Sequence, residues 1–170
     1  AALRPAGGAL AEAGIEPVEL REKEGLALVN GTEGMLGMLI MALADLDELA
    51  DTVDLTAAMS VEALLGTDRV FVPELPLPLR PPPGQATSAD RMLKILAGSP
   101  IVASHKEGDS RVQDAYSLRC APQVAGGLRD TLAYVRTVAE RELAATVDNP
   151  VVLDDGRVSS NGNFHGAPVA

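Results

Sequence analysis

Three polar side chains recur at intervals of three in one short stretch of the chain, namely Gln113, Tyr116 and Arg119. On a helical turn such residues share a face, so an amide, a phenol and a guanidinium could reach one small polar ligand. Arg119 has the most specific chemistry, because a planar guanidinium pairs with a carboxylate through two parallel hydrogen bonds. An ordinary surface ion pair is the alternative, and these three residues alone leave it open.

Two further polar segments, Asn30-Gly31-Thr32 and residues 163–166, adjoin predicted helices or tight loops. Backbone amides and side chains can face a ligand at such places. Each segment also has an ordinary structural interpretation, with Asn30 in a turn, Phe164 in the core and His165 capping backbone. Neither segment matches a hydrolytic triad, a phosphate-binding loop or a metal cage, so the chemistry stays open at this point.

Composition restricts the classes of partner. The 170 residues carry a formal net charge of −10, which disfavours binding to nucleic acid or to an anionic membrane. The apolar run over residues 35–44 is far shorter than the roughly 20 residues that a bilayer requires. Cys120 is the single cysteine, which fits a reducing, cytoplasmic location and excludes an internal disulfide. His105 and His165 are far apart in sequence, so no metal site is expected.

The hydrophobic pattern predicts a mainly α fold, a long-helix bundle with a proline-rich connector and a small β-hairpin. One long helix is predicted over 32–66, with Thr32 as its N-cap, Gly66 after its end and a possible break near Asp54. A second is predicted over 120–148, with Pro122 in its first turn.

The remaining segments have shorter or weaker patterns. Prolines lack an N–H donor and are poor helix formers, so the proline-dense residues 73–83 are predicted as an ordered loop or polyproline stretch. Both ends of the chain are predicted to continue into further structure, so we expect a piece of a longer protein. The predicted segments are a loop-rich N-terminal part (1–31), a proline-rich loop (67–86), a helix capped by Thr87 or Ser88 (87–98), an active-site loop (99–119), and a hairpin with an Asn/Gly loop (149–170).

Taken together, the polar segments resemble the aromatic amino acid ammonia-lyase family. The similar segments occur in the order found in the family, and the resemblance covers essentially the whole chain. Asn-Gly-Thr alone is a weak motif, whereas the other segments in combination are specific. The segments are Glu24–Thr32 (EGLALVNGT), Arg111–Val124 (RVQDAYSLRCAPQV), Asp148-Asn149-Pro150 and Asn161–Ala170 (NGNFHGAPVA).

The resemblance implies a larger all-helical ammonia-lyase fold and a homotetramer whose sites combine residues from more than one subunit. It also implies the electrophile 4-methylideneimidazol-5-one, formed by cyclisation of an internal Ala-Ser-Gly, with no added cofactor and no metal. The segments are most similar to the branch of the family that converts L-histidine to trans-urocanate and ammonia. Phenylalanine or tyrosine lyases and the related aminomutases are the alternative.

The resemblance also assigns roles to individual residues. Asn30, Tyr116 and Arg119 are expected to be catalytic, and Gln113 and Phe164 to lie in the same pocket. Arg119 would hold the substrate carboxylate. Amide hydrogen bonds from Asn30 and Gln113 would reach the carbonyl of the electrophile or the substrate. Tyr116 would hydrogen-bond at the reacting amine or the cofactor, and Phe164 would form an apolar wall.

The chain departs from the family pattern in several places. It contains no Ala-Ser-Gly, and the nearest string is Ala103-Ser104-His105. In the family that triad, the general-base Tyr and the substrate-selecting His precede the matching segment, and a Glu follows it, so this chain is expected to be inactive alone. Glu33 and Ala167 stand where many members have Gln and Glu. A non-enzymatic alternative is a helical scaffold that binds partners through residues 73–83.

Overall fold

A computed structural model describes residues 3–170, apart from the side chain of Leu77, and these residues form two compact units. One unit combines the residues up to Glu33 with Thr146–Ala167, and the other combines Gly34–Ala145 with Pro168–Ala170. The described residues form α1 (Ala6–Glu12), α2 (Glu24–Asn30), α3 (Glu33–Ala63), α4 (Pro76–Leu79), α5 (Pro83–Leu96), α6 (Pro100–Ser104), α7 (Tyr116–Arg119), α8 (Ala121–Leu143), β1 (Val151–Val152), β2 (Val158–Ser159) and 3₁₀ turns at Arg69–Phe71 and Ala167–Val169.

The long helix α3 is unbroken over 31 residues, about 46 Å at 1.5 Å per residue. The suggested break near Asp54 is wrong. The Asp54 side chain is fully buried, and its charge is compensated by Arg91 of α5 and Arg129 of α8. A helix can therefore continue through a buried acid when partners on neighbouring helices supply the opposite charge. Within the described residues, no single helix is long and apolar enough to cross a bilayer, and α2 and α3 reach that length and composition only jointly, as a bent pair.

Two apolar clusters lie within the second unit, and both include residues of α3. In the first, Leu36, Leu43 and Ala50 of α3 pack with residues of α8 such as Leu132 and Ala139. The second joins the C-terminal part of α3 to α5, α6 and α7. Its buried members are Ala58, Val61, Phe71, Ala89, Met92, Leu96, Val102 and Leu118. The mainly α long-helix packing that the sequence predicts is confirmed.

The proline-rich connector is more helical than predicted. Pro76 begins α4 and Pro83 begins α5, so the predicted loop 67–86 and the start of a helix at 87 are both wrong. Proline is tolerated in the first turn of a helix because the N–H that it lacks would have no intrahelical partner there. Thr87 is therefore inside α5 rather than at its cap, and its hydroxyl donates to the carbonyl of Pro83 at 2.9 Å.

Helices α5 and α8 approach closely enough for their backbones to touch. A β-carbon on Gly126 of α8 would lie 2.8 Å from the carbonyl carbon of Gly84 and closer still to the backbone of Gln85. The amide of Gly84 also donates to Asp130 at 2.8 Å. Glycine at both positions thus permits this crossing, which fixes α8 and the segment before it.

Three predicted segments have different bounds in the structure. The N-terminal part contains α2, because Glu24 accepts a hydrogen bond from the amide of Arg21 at 2.7 Å and so supports the first turn. The predicted loop 99–119 contains α6 and α7. The second long helix ends at Leu143 rather than 148, because Asp148 contributes to the other unit. The hairpin is present, with Val151 paired to Ser159 and Val152 to Val158.

Candidate active site

The segment that connects α6 to α8 contains three of the predicted site residues. Tyr116 and Arg119 are the first and last residues of α7, so they lie on one face of a single helical turn. The Arg119 guanidinium carbon lies 4.7 Å from the centroid of the Tyr116 ring, in a cation–π contact. Gln113 precedes the helix. The prediction that all three residues share one helical face is therefore wrong for Gln113 and holds for Tyr116 and Arg119.

Arg119 is half-buried and has an unused donor. Its Nε atom is buried and has no hydrogen-bond partner among the described residues. The side chain borders a cavity of about 360 Å³, which is also lined by Gln113, and a second cavity of about 290 Å³ on the side of Arg80 and Gln123. A buried guanidinium donor without a partner is costly, so an acceptor at this edge would stabilise Arg119.

The larger cavity is lined mainly by charged groups. Its four Arg and Lys residues exceed its three acids by one. Two of the acids, Asp109 and Asp114, are paired with Arg111 within the protein. The Arg111 side chain, and after it the Arg111 amide, holds the pKa of Asp109 at about 2. Asp114 is buried and accepts from the amide of Thr67 at 2.7 Å. The ionisable side chains of the lining are those of Asp68, Arg69, His105, Lys106, Asp109, Arg111, Asp114 and Arg119. This environment favours a small anionic ligand.

Tyr116 is 74% exposed on this chain, and its ring is the stacking partner of Arg119. The stacked ring restricts the plane of the guanidinium, which a bidentate contact with a carboxylate requires. Tyr116 therefore has two possible contributions, through its ring to Arg119 and through its hydroxyl to a ligand.

Asn30 lies in the other unit, where its side-chain amide bonds to the Asp-Asn-Pro segment. Its Nδ2 donates to Oδ1 of Asp148 at 3.1 Å and to the carbonyl of Asn149 at 2.9 Å. Asp148 also pairs with Lys23, and the pKa of Asp148 is lowered first by Lys23 and then by Asn30. Both amide hydrogens of Asn30 are thus in use, and the expected donor role of Asn30 does not fit this arrangement. The side-chain amide oxygen of Asn30 is the atom that could accept a hydrogen bond from a ligand.

The same network includes the loop that contains Phe164. Oδ1 of Asn149 accepts from the amide of Asn161 at 2.8 Å, and Nδ2 of Asn161 donates to the carbonyl of Asp148 at 3.0 Å. Asn161 then accepts from the amide of Asn163 at 2.8 Å. Phe164, which follows directly, is 40% exposed. The Asn-Gly-Thr, Asp-Asn-Pro and Asn-Phe-His-Gly segments are therefore one hydrogen-bonded assembly.

The structure groups the five predicted site residues into two sets. Gln113, Tyr116 and Arg119 belong to the second unit, and Asn30 and Phe164 belong to the first. Sequence reasoning did not single out Arg111, Asp114 or Asp148, although each lies within or beside a motif. The available signal was their charge, because an ionisable side chain next to a motif residue often holds that segment in place.

A profile of the aromatic amino acid lyase family matches residues 1–170. A histidine ammonia-lyase from Streptomyces avermitilis is 70% identical over 168 residues, which cover 99% of the chain and 33% of that relative. The chain therefore spans about a third of the length of the curated relatives it matches.

Solved structures agree with this similarity. A tyrosine aminomutase from Streptomyces globisporus superposes with a TM-score of 0.84 and 37% identity, over 96% of this chain and 34% of that chain. A histidine ammonia-lyase from Trypanosoma cruzi gives a TM-score of 0.81 and 38% identity, over 98% of this chain and 30% of that chain.

Proposed function

The chain belongs to the aromatic amino acid lyase family, and on that premise we propose that the whole protein eliminates ammonia from L-histidine to give trans-urocanate. The observation that carries this proposal is the half-buried Arg119, whose side chain lines a cavity shared with Gln113 and whose buried Nε has no hydrogen-bond partner among the described residues. The names of relatives up to 70% identical support L-histidine as the substrate.

Arg119 is proposed to hold the substrate carboxylate. Nε and one Nη of a guanidinium form an edge that matches the two oxygens of a carboxylate. A bound carboxylate would give the buried Nε the acceptor that the described residues do not supply. The Tyr116 ring, 4.7 Å from the guanidinium carbon, is proposed to limit the orientations that the guanidinium can take. The contact fixes the Cα–Cβ bond of the substrate, which is where the elimination occurs.

The reaction breaks the Cα–N bond and removes a proton from Cβ, and the electron pair of the C–H bond forms the new C=C bond. That proton is weakly acidic, so the reaction needs both an electrophile and a base. In the proposed enzyme, 4-methylideneimidazol-5-one from an Ala-Ser-Gly outside residues 1–170 supplies the electrophile. Gln113 fits the role of a hydrogen-bond donor to the carbonyl of this electrophile, because the exposed side chain of Gln113 lines the same cavity as Arg119.

Asn30 and Phe164 are proposed as supporting residues of the active site. The amide of Asn30 holds Asp148 and Asn149, so Asn30 is better suited to fix the Asp-Asn-Pro segment and to present its oxygen as an acceptor. Phe164, which is 40% exposed on this chain, is proposed to form an apolar wall that limits access of water. The Tyr116 hydroxyl is proposed to hydrogen-bond at the reacting amine.

The whole protein is proposed to be a cytoplasmic homotetramer. Large apolar side chains are exposed along α3, including Met38 at 76% and Met41 at 66%, as expected for helices that pack against other subunits. The alternative of a scaffold that binds through residues 73–83 is less well supported. Pro76 is buried and begins a helix there, so this stretch does not offer a continuous polyproline surface.

The substrate test supplies L-histidine, L-phenylalanine and L-tyrosine separately to the intact protein. The absorbance of the conjugated arylacrylate product reports each elimination. We expect a signal from L-histidine alone. Turnover of L-tyrosine or L-phenylalanine without L-histidine would select the alternative lyases, whereas no turnover of any of the three would refute the proposed function.

A further inference from the structure

The turn that ends α3 has an unusual backbone conformation. Leu65 has a φ of 54°, in the left-handed region where glycine is the common residue. The amide of Leu65 donates to the carbonyl of Glu62 at 3.0 Å, and the amide of Gly66 donates to that of Val61 at 2.6 Å. These two hydrogen bonds close the helix as in a Schellman motif. A branched side chain disfavours the left-handed conformation, so the turn depends on outside support.

That support comes from the segment that leads to the candidate active site. Arg111 donates through Nη1 to the carbonyl of Leu64 at 3.2 Å and through Nη2 to the carbonyl of Leu65. Asp114 accepts from the amide of Thr67 at 2.7 Å. Nε2 of His105 lies 2.9 Å from the carbonyl of Gly66. The backbone of every residue in the turn 64–67 is therefore hydrogen-bonded to a side chain from residues 105–114.

These contacts surround one proposed site residue. Arg111 and Asp114 flank Gln113, and Asp114 lies two residues before α7, which contains Arg119. Arg111 is itself held by Asp109, through its Nε at 3.1 Å and its Nη2 at 2.8 Å. The position of Gln113 is thus set on both sides by anchors on the end of α3, a 31-residue helix.

We propose that Arg111 and Asp114 are positioning residues for the elimination, an inference that rests on the proposed function. They fix the Gln113–Arg119 segment to the turn 64–67, and thereby hold the Gln113 amide and the Arg119 guanidinium toward one cavity. Neither needs to touch the substrate. A displacement of about 1 Å in a catalytic group is enough to lower a rate by about 100-fold, so such an anchor affects the reaction and not only the fold.

The two substitutions at Asp114 separate positioning from simple stability. Asp114→Ala removes the acceptor for the Thr67 amide, whereas Asp114→Asn keeps an oxygen there. Arg111→Lys keeps the charge but replaces three donor nitrogens by one, so it cannot keep the contacts with Leu64, Leu65 and Asp109 in their present geometry. Asp90→Ala is the matched control, because Asp90 forms only an exposed ion pair with Lys94. The intact protein carries each change, and kcat and KM for L-histidine are measured per folded enzyme, well below the melting temperature.

We expect Asp114→Ala to lower kcat/KM by about 30-fold or more relative to the control, and Arg111→Lys by about tenfold. Asp114→Asn should recover to within about fivefold of the wild type, because the hydrogen bond to Thr67 is kept. If Asp114→Ala does not fold, the comparison of Arg111→Lys with the control decides the question.

Folded Asp114→Ala and Arg111→Lys enzymes that keep kcat/KM within about threefold of the control would overturn the inference, even with lowered melting temperatures. A wild-type protein that does not turn over L-histidine would instead refute the proposed function. An active wild type with unaffected variants refutes the positioning role alone.

Discussion

Removing Arg129 should destabilise the protein far more than removing an equivalent arginine two turns further along α8. Arg129 donates to the fully buried Asp54 at 2.5 Å, to the carbonyl of Ala50 at 3.0 Å and to the hydroxyl of Ser88 at 3.1 Å. Oδ1 of Asp54 has no hydrogen-bond partner among the described residues. Arg129→Met would leave this buried carboxylate with Arg91 as its remaining cation.

Breaking a buried ion pair by removing one partner costs about 3–5 kcal/mol. Because Arg91 remains, we expect the lower end of that range, about 3 kcal/mol. Arg136→Met is the matched control, since the ion pair of Arg136 with Asp47 also joins α8 to α3 but is about half exposed on both sides. Exposed pairs contribute about 0–1 kcal/mol, so the control should change stability little.

The assay is urea unfolding of the intact protein, followed by the circular dichroism of its helices at one fixed protein concentration. Both variants share nearly the same m-value, so the midpoint of Arg129→Met should fall at least about three times as far as that of Arg136→Met. Adding Asp54→Asn to Arg129→Met should recover part of the loss, because the unpaired charge is gone. Equal midpoints for the two single variants would refute the reasoning.

Two further predictions concern the helix crossing and the acid beside the site. Gly126→Ala forces a methyl group into the backbone of Gln85 and should cost about 3 kcal/mol, whereas Gly127→Ala, with open space around it, should be neutral or stabilising in the same unfolding assay. The Asp109 carboxylate, with its pKa at about 2, should contribute fully to stability above its ordinary pKa of 3.8 and lose that contribution as pH falls toward 2. A carboxyl ¹³C titration should show this low midpoint, and Arg111→Met should raise it.

The long helices of the second unit and the hairpin of the first could be predicted from sequence because their signals are local. The apolar period from Leu36 to Ala50 identifies α3, and the polar gap between Val151 and Val158 identifies the hairpin. The proline-rich segment misled the prediction, because a proline can either interrupt a helix or begin one. Pro83 begins α5, which depends on the close approach of α8 around Gly126.

The partners of polar side chains could not be predicted in this way. Asp54 was interpreted as a helix break, because its partners Arg91 and Arg129 are 37 and 75 residues away in sequence. Asn30 donates a hydrogen bond to Asp148 across 118 residues, a contact that no local pattern indicates. Motifs indicate candidate site residues, but the hydrogen-bond partners of those residues depend on tertiary packing.

The central claim is that Arg119 binds the carboxylate of the substrate, and one comparison in the intact protein tests it directly. Histamine has the imidazole and the amine of L-histidine but no carboxylate. We predict that Arg119→Met lowers kcat/KM for L-histidine by about 100-fold or more, because charge-assisted hydrogen bonds are lost. Inhibition by histamine should stay within about threefold of the wild type. A variant with near-normal kcat/KM, or one that loses affinity for both molecules equally, would contradict the account.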